Sequence, residues 1–472
     1  MTPEAWHLAS AAEIAAAVRS RAVTAIAVAR AALTRIEATD RAVNAFTEVT
    51  STRALADAAA VDAAIAIGAD PGPLAGVPFA AKNLFDIEGV VTLAGSIIER
   101  RRAPATADAW CVARLRDAGG ICLGALNMDE YAYGFTTENA HYGATVNPHD
   151  TATRRSAGGS SGGSGAAVAA GLATITLGTD TNGSIRVPAS LNGIWGIKPT
   201  YGRLSRAGSL LFVPSLDHVG PFARSVADLA LAYDALQGHD PADPAQAERP
   251  VQRVGGLLDQ GVGGLRVARL GGYFARSGLP CAQEAADRVA AALGATDTVD
   301  LADAAAARAA AYLITSAEGA QMRLPDLRTR PDDFEPLTRD RLLAGALIPA
   351  QWVLHAQRLR ALFREQLRAV FHDHDILIAP ATPAPAQPLG QDMLEADGRR
   401  VPLRPSFGVY TQPISCIGLP VIAAPLQNAE GALPIAVQLI AAPWREDALF
   451  RAAAMLERAG VCAAPVAPAY RA

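Results

Sequence analysis

Cysteine is scarce in this chain. The five thiols (Cys111, Cys122, Cys281, Cys416 and Cys462) are odd in number and scattered, and no two form a Cys-x-x-Cys pair. That argues against a disulfide framework and a cysteine zinc site, and fits reduced thiols used as small core residues. Histidine is sparse too: His7, His141, His149, His218, His239, His355, His372 and His374. None stands in a catalytic-triad frame, and no His/Cys/Asp/Glu group has metal-ligand spacing, so neither metal nor cofactor is expected. Charge is thin at 19% of residues, 42 basic against 46 acidic, with a net charge of −4. No basic block exists to neutralise a phosphate backbone, which argues against nucleic acid as a partner. Also missing are an uncharged apolar run long enough for a bilayer and, at Met1 to Trp6, a cationic stretch leading into an apolar one. No membrane association is expected, and the cytoplasm is the expected location.

What the chain does have is apolar bulk, 50% of 472 residues, enough for one large α/β core in place of several average domains. Residues 10–70 are alanine-rich with helical apolar spacing, broken at Pro71-Gly72-Pro73. From Leu74 onward, β-prone runs at 120–124 and 173–178 alternate with helical stretches at 107–118 and 164–170. That alternation predicts an α/β fold with a sheet covered on both faces. Residues 237–264, polar and rich in Pro and Gly, read as a surface excursion before a strand restart at 267–270. A charged helical region is expected over 301–371. Buried strands are expected at 375–380 and 420–425, each ending at proline, and at 435–440.

Three motifs carry the chemistry. The first is Gly76-Val77-Pro78-Phe79-Ala80-Ala81-Lys82, a lysine in an apolar frame. The second is a serine-glycine run at 158–165, and the third is Gly178-Thr179-Asp180-Thr181-Asn182-Gly183-Ser184-Ile185-Arg186. A Gly/Ser octapeptide is often a linker, but this one runs straight into a helix-forming segment. It lacks the closing lysine of a nucleotide loop and the G-x-S-x-G order of a nucleophile elbow. The third motif follows a strand, and its small residues let several backbone N–H groups converge on a substrate carbonyl, with Ser184 as nucleophile. Asp180 and Arg186 flank that turn and can pair to hold it. With no histidine in frame, Lys82 is the expected base. Burial that moves its pKa from about 10.4 towards 7–8 costs roughly 3–4 kcal/mol, a shift desolvation can supply. Ser160 can relay the proton between them, and amide hydrolysis is the leading reading.

On these motifs, and on the 24-residue separation of Ser160 and Ser184, the chain resembles the amidase signature family over about residues 36–454. The resemblance implies a single domain over 1–472 built on a central twisted mixed sheet covered by helices on both faces. Within it, 1–70 would be an N-terminal helical segment, 74–235 the catalytic core, and 236–472 the remainder completing the pocket. It implies Lys82 as base, Ser160 as a relay preceded by a cis peptide, and Ser184 as the acyl-forming nucleophile. The oxyanion hole would be the amides of Thr181, Asn182, Gly183 and Ser184, where Asn182 replaces the family's commoner glycine and narrows the pocket.

Residues 127–139 and 200–208 are similar to the glutaminase subunit of tRNA-dependent amidotransferases. There an arginine grips the substrate carboxylate, a position that falls on Arg341, and an aspartate grips the α-amino group, a position that falls on Gly408. A small amide with a carboxylate and no α-ammonium group is the implied substrate, with Tyr133, Thr137 and Gln412 as further pocket-lining expectations. Residues 181–186, 94–96, 139–143 and 441–444 resemble a branch of the family that deaminates a carboxylated biuret during cyanuric-acid breakdown. That branch implies ammonia release and a small helical partner subunit in an assembly with two copies of each chain. The alternatives are a biuret- or allophanate-type amidase and the glutaminase subunit of an amidotransferase. A non-enzymatic scaffold is disfavoured because Lys82, Ser160 and Ser184 are all present.

Overall fold

The computed structural model describes residues 3–396, 398–426 and 432–472. At its centre is an eleven-stranded sheet of β1 (Phe46–Val49), β2 (Pro78–Lys82), β3 (Ile121–Leu126), β4 (Ile175–Asp180), β5 (Trp195–Lys198), β6 (His218–Ala223), β7 (Val267–Leu270), β8 (Asp297–Val299), β9 (Ile376–Pro380), β10 (Val421–Leu426) and β11 (Ile435–Ala441). Its spatial order is β1-β3-β2-β4-β6-β5-β10-β11-β9-β7-β8. β2 runs parallel to β3 and β4, and β7 runs parallel to β8 and β9. The remaining neighbours pair antiparallel, so the sheet is mixed.

Fourteen helices flank it among the described residues. They are α1 (Ala11–Arg19), α2 (Ala25–Val43), α3 (Ser51–Ala66), α4 (Trp110–Asp117), α5 (Gly162–Ala169), α6 (Arg186–Asn192), α7 (Val226–Leu236), α8 (Pro280–Ala292), α9 (Ala304–Thr329), α10 (Pro336–Ala346), α11 (Ala350–Asp373), α12 (Leu403–Ser406), α13 (Gln412–Cys416) and α14 (Glu446–Arg458). Strand β9 shows why the sheet carries helices on both sides. Successive side chains of a strand point to opposite faces. Leu377 and Ala379 join one apolar cluster, with residues of α9 and α11, whereas Ile376 and Ile378 join another, with residues of α8 and α14. Burial of each large aliphatic side chain stabilises the fold by about 1.5–3 kcal/mol, so neither face could be left to solvent.

The alanine-rich start forms α1 to α3, with Ser10 and Glu13 closing a capping box on α1 and Thr24 capping α2. Two details differ from expectation. Phe46-Thr47-Glu48-Val49, inside the helical stretch, is the edge strand β1, paired antiparallel with β3. Its four residues are too few to break a helical pattern read over a longer window. Pro425 does not end its strand, because β10 continues to Leu426. β5 pairs with β10 only as far as Ala423, so Pro425 lies where one side of the strand is unpaired and a missing N–H is tolerated.

The sheet also sets the site. Lys82 is the last residue of β2 and Asp180 the last of β4, and the two strands are parallel neighbours. Their carboxyl ends therefore open on the same edge, where the loops carrying Ser160 and Ser184 meet.

Candidate active site

Lys82 has no exposed surface, and no carboxylate among the described residues lies within ion-pair distance of it. Its Nζ donates to Ser160 Oγ at 2.7 Å and to Thr179 Oγ1 at 2.9 Å. Burial pushes the amine down to about 7, against the more distant pull of Asp129, Asp217 and Asp180. Near neutral pH a large share of the amine is unprotonated and able to accept a proton.

Ser160 is held by a loop that leaves no room for side chains. The Gly159–Ser160 peptide is cis. A Cβ at Gly159 would come within 2.0 Å of Asp129 Oδ2, and one at Gly163 within 2.6 Å of the Asn127 backbone. The Ser160 carbonyl accepts the Asp129 N–H at 3.2 Å, and α5 begins two residues later. The serine-glycine run is thus a close-packed turn into a helix and not a linker.

The turn after β4 is organised by Asp180. Its carboxylate accepts the Gly183 N–H at 2.7 Å and the Ile185 N–H at 3.2 Å. Arg186 donates to both oxygens, Nε and Nη2 each at 2.9 Å. Burial alone would raise this carboxyl, but the Arg186 guanidinium overcomes it and holds the group well below the usual carboxylate range. Arg186 continues to the Thr411 carbonyl, Gln438 Oε1 and Ser415 Oγ, all buried. The expected pairing of Asp180 and Arg186 is therefore present. Removing one member of a buried pair costs about 3–5 kcal/mol, so Asp180→Asn should lower the free energy of unfolding by that order in a denaturant titration.

This arrangement revises one part of the oxyanion reading. The Gly183 amide is already committed to Asp180. The amides of Thr181, Asn182 and Ser184 donate to nothing else among the described residues, so these three are the candidates. The Asn182 side chain does not hang freely into the pocket, because its Nδ2 donates to Thr315 Oγ1 at 2.8 Å. Thr181 Oγ1 donates to Asp217 at 2.6 Å. Ser184 is 2% exposed and lines a cavity of about 400 Å³. Lys82 and Ser160 touch directly, whereas among the described residues no hydrogen bond joins the Ser184 hydroxyl at the cavity wall to Ser160.

That cavity is walled by Tyr133, Phe135, Phe212, Tyr312 and Leu337, with Arg341, Arg404, Gln412 and Asp340 among its polar groups. The Arg341 guanidinium lies 4.0 Å from the centre of the Tyr133 ring and donates to the carbonyls of Tyr133 and Leu337. Burial lowers its pKa. Gln412 lines the cavity, with Oε1 accepting from Arg308 at 2.9 Å. Thr137 is the exception among the expected lining residues. Fully buried, it gives its N–H to Asp129 at 3.0 Å and accepts the Gly162 N–H at 3.1 Å, so it braces the Ser160 loop from behind. At Gly408 a Cβ would meet Phe135 at 2.7 Å and Gln412 at 2.9 Å, so an aspartate has no room there without repacking.

Four residues near the site were not singled out from sequence. Thr179 and Asp129 lay within quoted motifs, but nothing in the spacing indicated their partners. Arg404 lies in no motif. Lys198 has no exposed surface, and burial, with the Arg186 charge, takes its pKa down to about 7. Its Nζ sits 3.2 Å from His218 Nε2, and that ring reaches the Asp180 carbonyl through Nδ1 at 3.0 Å.

Comparison with known proteins points one way. A family model described as Amidase matches residues 27–450. The chain is 54% identical to AtzE, a 1-carboxybiuret hydrolase subunit of Pseudomonas sp. (strain ADP), over 95% of this chain and 98% of the relative. It is 40% identical to a glutamyl-tRNA(Gln) amidotransferase subunit of Acidothermus cellulolyticus, over 95% and 94% respectively. A solved structure, described as a vestigial protein complex that reveals the origins of an s-triazine catabolic enzyme, superposes with a TM-score of 0.95 at 53% identity. That match covers 97% of this chain and all of the other.

Proposed function

This chain is an amide hydrolase of the amidase family, and from that premise we propose that it deaminates 1-carboxybiuret through a Ser184–Ser160–Lys82 relay. The observation that carries the mechanism is the 2.7 Å contact between a buried, partly neutral Lys82 and Ser160, taken together with the cavity that Ser184 lines. Neutral Lys82 takes the Ser160 proton as Ser160 takes that of Ser184. Ser184 Oγ then attacks the terminal amide carbonyl. The free amides of Thr181, Asn182 and Ser184, all residues of the cavity wall, are the donors for the oxyanion, each such donor being worth roughly 3–4 kcal/mol in the transition state. Collapse of the intermediate breaks the C–N bond, and the proton returns through Ser160 to the leaving ammonia. Water then attacks the acyl-enzyme by the same route, leaving dicarboxyurea.

Arg341 supplies the grip for the substrate carboxylate, and Gly408, crowded by Phe135 and Gln412, offers no carboxylate at that position to an α-ammonium group. The identity to a 1-carboxybiuret hydrolase subunit supports the substrate, and the superposed s-triazine complex supports a partner chain. We take that partner to be a small helical subunit, two copies of each chain forming the assembly, and the location to be the cytoplasm. The amidotransferase subunit at 40% identity favours a second reading, a glutaminase subunit, against which Gly408 counts.

Ammonia release measured side by side from carboxybiuret, biuret, allophanate and glutamine tests the assignment. Carboxybiuret should be the fastest, and glutamine the fastest would transfer the chain to the amidotransferase subunits. Arg341→Gln should raise KM for carboxybiuret by about tenfold to a hundredfold with kcat less affected, the size of one lost charge-assisted contact.

A further inference from the structure

Two guanidiniums reach the cavity that holds Ser184. Building on the function proposed above, we propose that Arg404 is a second substrate-contacting residue, which with Arg341 grips the anionic end of the substrate and sets the preference for carboxylated over neutral ureas.

Arg404 sits on α12, more than sixty positions after Arg341 in the chain, and lines the same cavity. Its side chain is 23% exposed, so it is neither locked in the core nor free in solvent. Only Nη2 is committed, donating to Asp129 Oδ1 at 3.2 Å. Nε and Nη1 make no hydrogen bond among the described residues, the nearest other carboxylate oxygen being Glu335 Oε1, 4.0 Å from Nη1. A guanidinium offers five N–H donors in a planar fork, and most of this fork remains available to a ligand.

The surrounding charges favour an anion. Arg341 has no carboxylate within ion-pair distance among the described residues, and its Nη1 is uncommitted. Burial, reinforced by the Asp129 charge, pushes Glu335 up to about 7, so near neutral pH it offsets Arg404 only in part. Asp129 is shared with the Thr137 N–H. Asp340, also at the cavity, is paired with Arg339 at 3.0 Å. Two guanidiniums thus face the cavity against incomplete compensation. A carboxylate has about four acceptor positions, more than the free donors of Arg341 alone can fill.

The same Asp129 that holds Arg404 also gives its backbone N–H to the Ser160 carbonyl. The residue that reads the substrate's charge and the residue that relays its proton are therefore braced by one aspartate. Engagement of Arg404 by a substrate carboxylate bears on the relay as well as on binding.

The test compares kcat/KM for carboxybiuret and for biuret in wild type, Arg404→Gln and Arg404→Lys. The preference for the carboxylated substrate should fall about tenfold to a hundredfold in Arg404→Gln, the range of one charge-assisted hydrogen bond, and recover in part in Arg404→Lys. An unchanged preference, with both rates falling together, would show that Arg404 only braces Asp129 and would overturn the inference. Malonate, a stable small dicarboxylate, gives a readout independent of turnover. It should raise the melting temperature of wild type and of Arg404→Lys but much less that of Arg404→Gln, and equal stabilisation of all three would overturn the inference. A wild type that spares carboxybiuret yet is stabilised by malonate through Arg404 sinks the substrate assignment and leaves this inference standing.

Discussion

Replacing Ser184 by alanine should lower ammonia release by about 10⁴-fold or more while leaving the melting temperature within a degree or two of wild type. The size follows from what is lost. A nucleophile that acts as a unit with its base carries nearly the whole covalent route, and what survives its removal is the background from binding and the oxyanion donors. The small structural effect follows from the setting. Ser184 is 2% exposed at a cavity wall, and its hydroxyl makes no hydrogen bond among the described residues, so its loss strands no partner. The turn is held by Asp180 and Arg186 through the amides of Gly183 and Ile185, which alanine does not disturb. Mass spectrometry on quenched wild type should find an acyl adduct on the peptide containing Ser184 and none in the variant. Near-normal rates in Ser184→Ala would remove the covalent mechanism.

The second large effect concerns Lys82. Lys82→Met should cost about 10³-fold to 10⁴-fold in kcat/KM, the scale of a positioned general base. In wild type the base must be neutral, so kcat/KM should climb as pH rises towards about 7 and then level off. Stability has its own dependence on pH. The amine titrates near 10.5 when exposed and near 7 here, so between those values the unfolded chain binds the extra proton and folding stability rises with pH. At and below pH 7 the buried ammonium costs roughly 4–5 kcal/mol, at about 1.4 kcal/mol per pH unit. Methionine removes that cost and forfeits two hydrogen bonds, worth about 1 kcal/mol each. The variant should therefore melt no lower than wild type at neutral pH while being nearly inactive. A variant that is active, or a wild-type rate flat down to pH 5, would exclude Lys82 as the base.

The two variants separate chemistry from architecture, and so did the reading of the chain. Lys82, Ser160 and Ser184 were legible because each sits in a short motif whose residue types have a chemical reason to be there. Neighbouring strands were legible too: the β-prone runs at 120–124 and 173–178 fall on strands 121–126 and 175–180, which are buried throughout, as a sheet covered on both faces requires. Thr137 was expected to line the pocket. Its left-handed backbone turns it under the Ser160 loop, and a φ of +49° there is not readable from residue type. The Gly183 amide counted as an oxyanion donor until the Asp180 carboxylate was seen to occupy it.

By itself the amino-acid order determined the α/β class and marked Lys82, Ser160 and Ser184 as the candidates for base, relay and nucleophile, because local spacing and side-chain chemistry suffice to mark them. Only the tertiary structure decided which amides are free, that Thr179 contacts Lys82 and Asp129 the Ser160 carbonyl, and that Arg404 joins Arg341 at the cavity. Each of these depends on contacts between segments tens to hundreds of residues apart, and the distance between two such groups is set by the packing of the whole sheet and its helices. No stretch of sequence carries that distance.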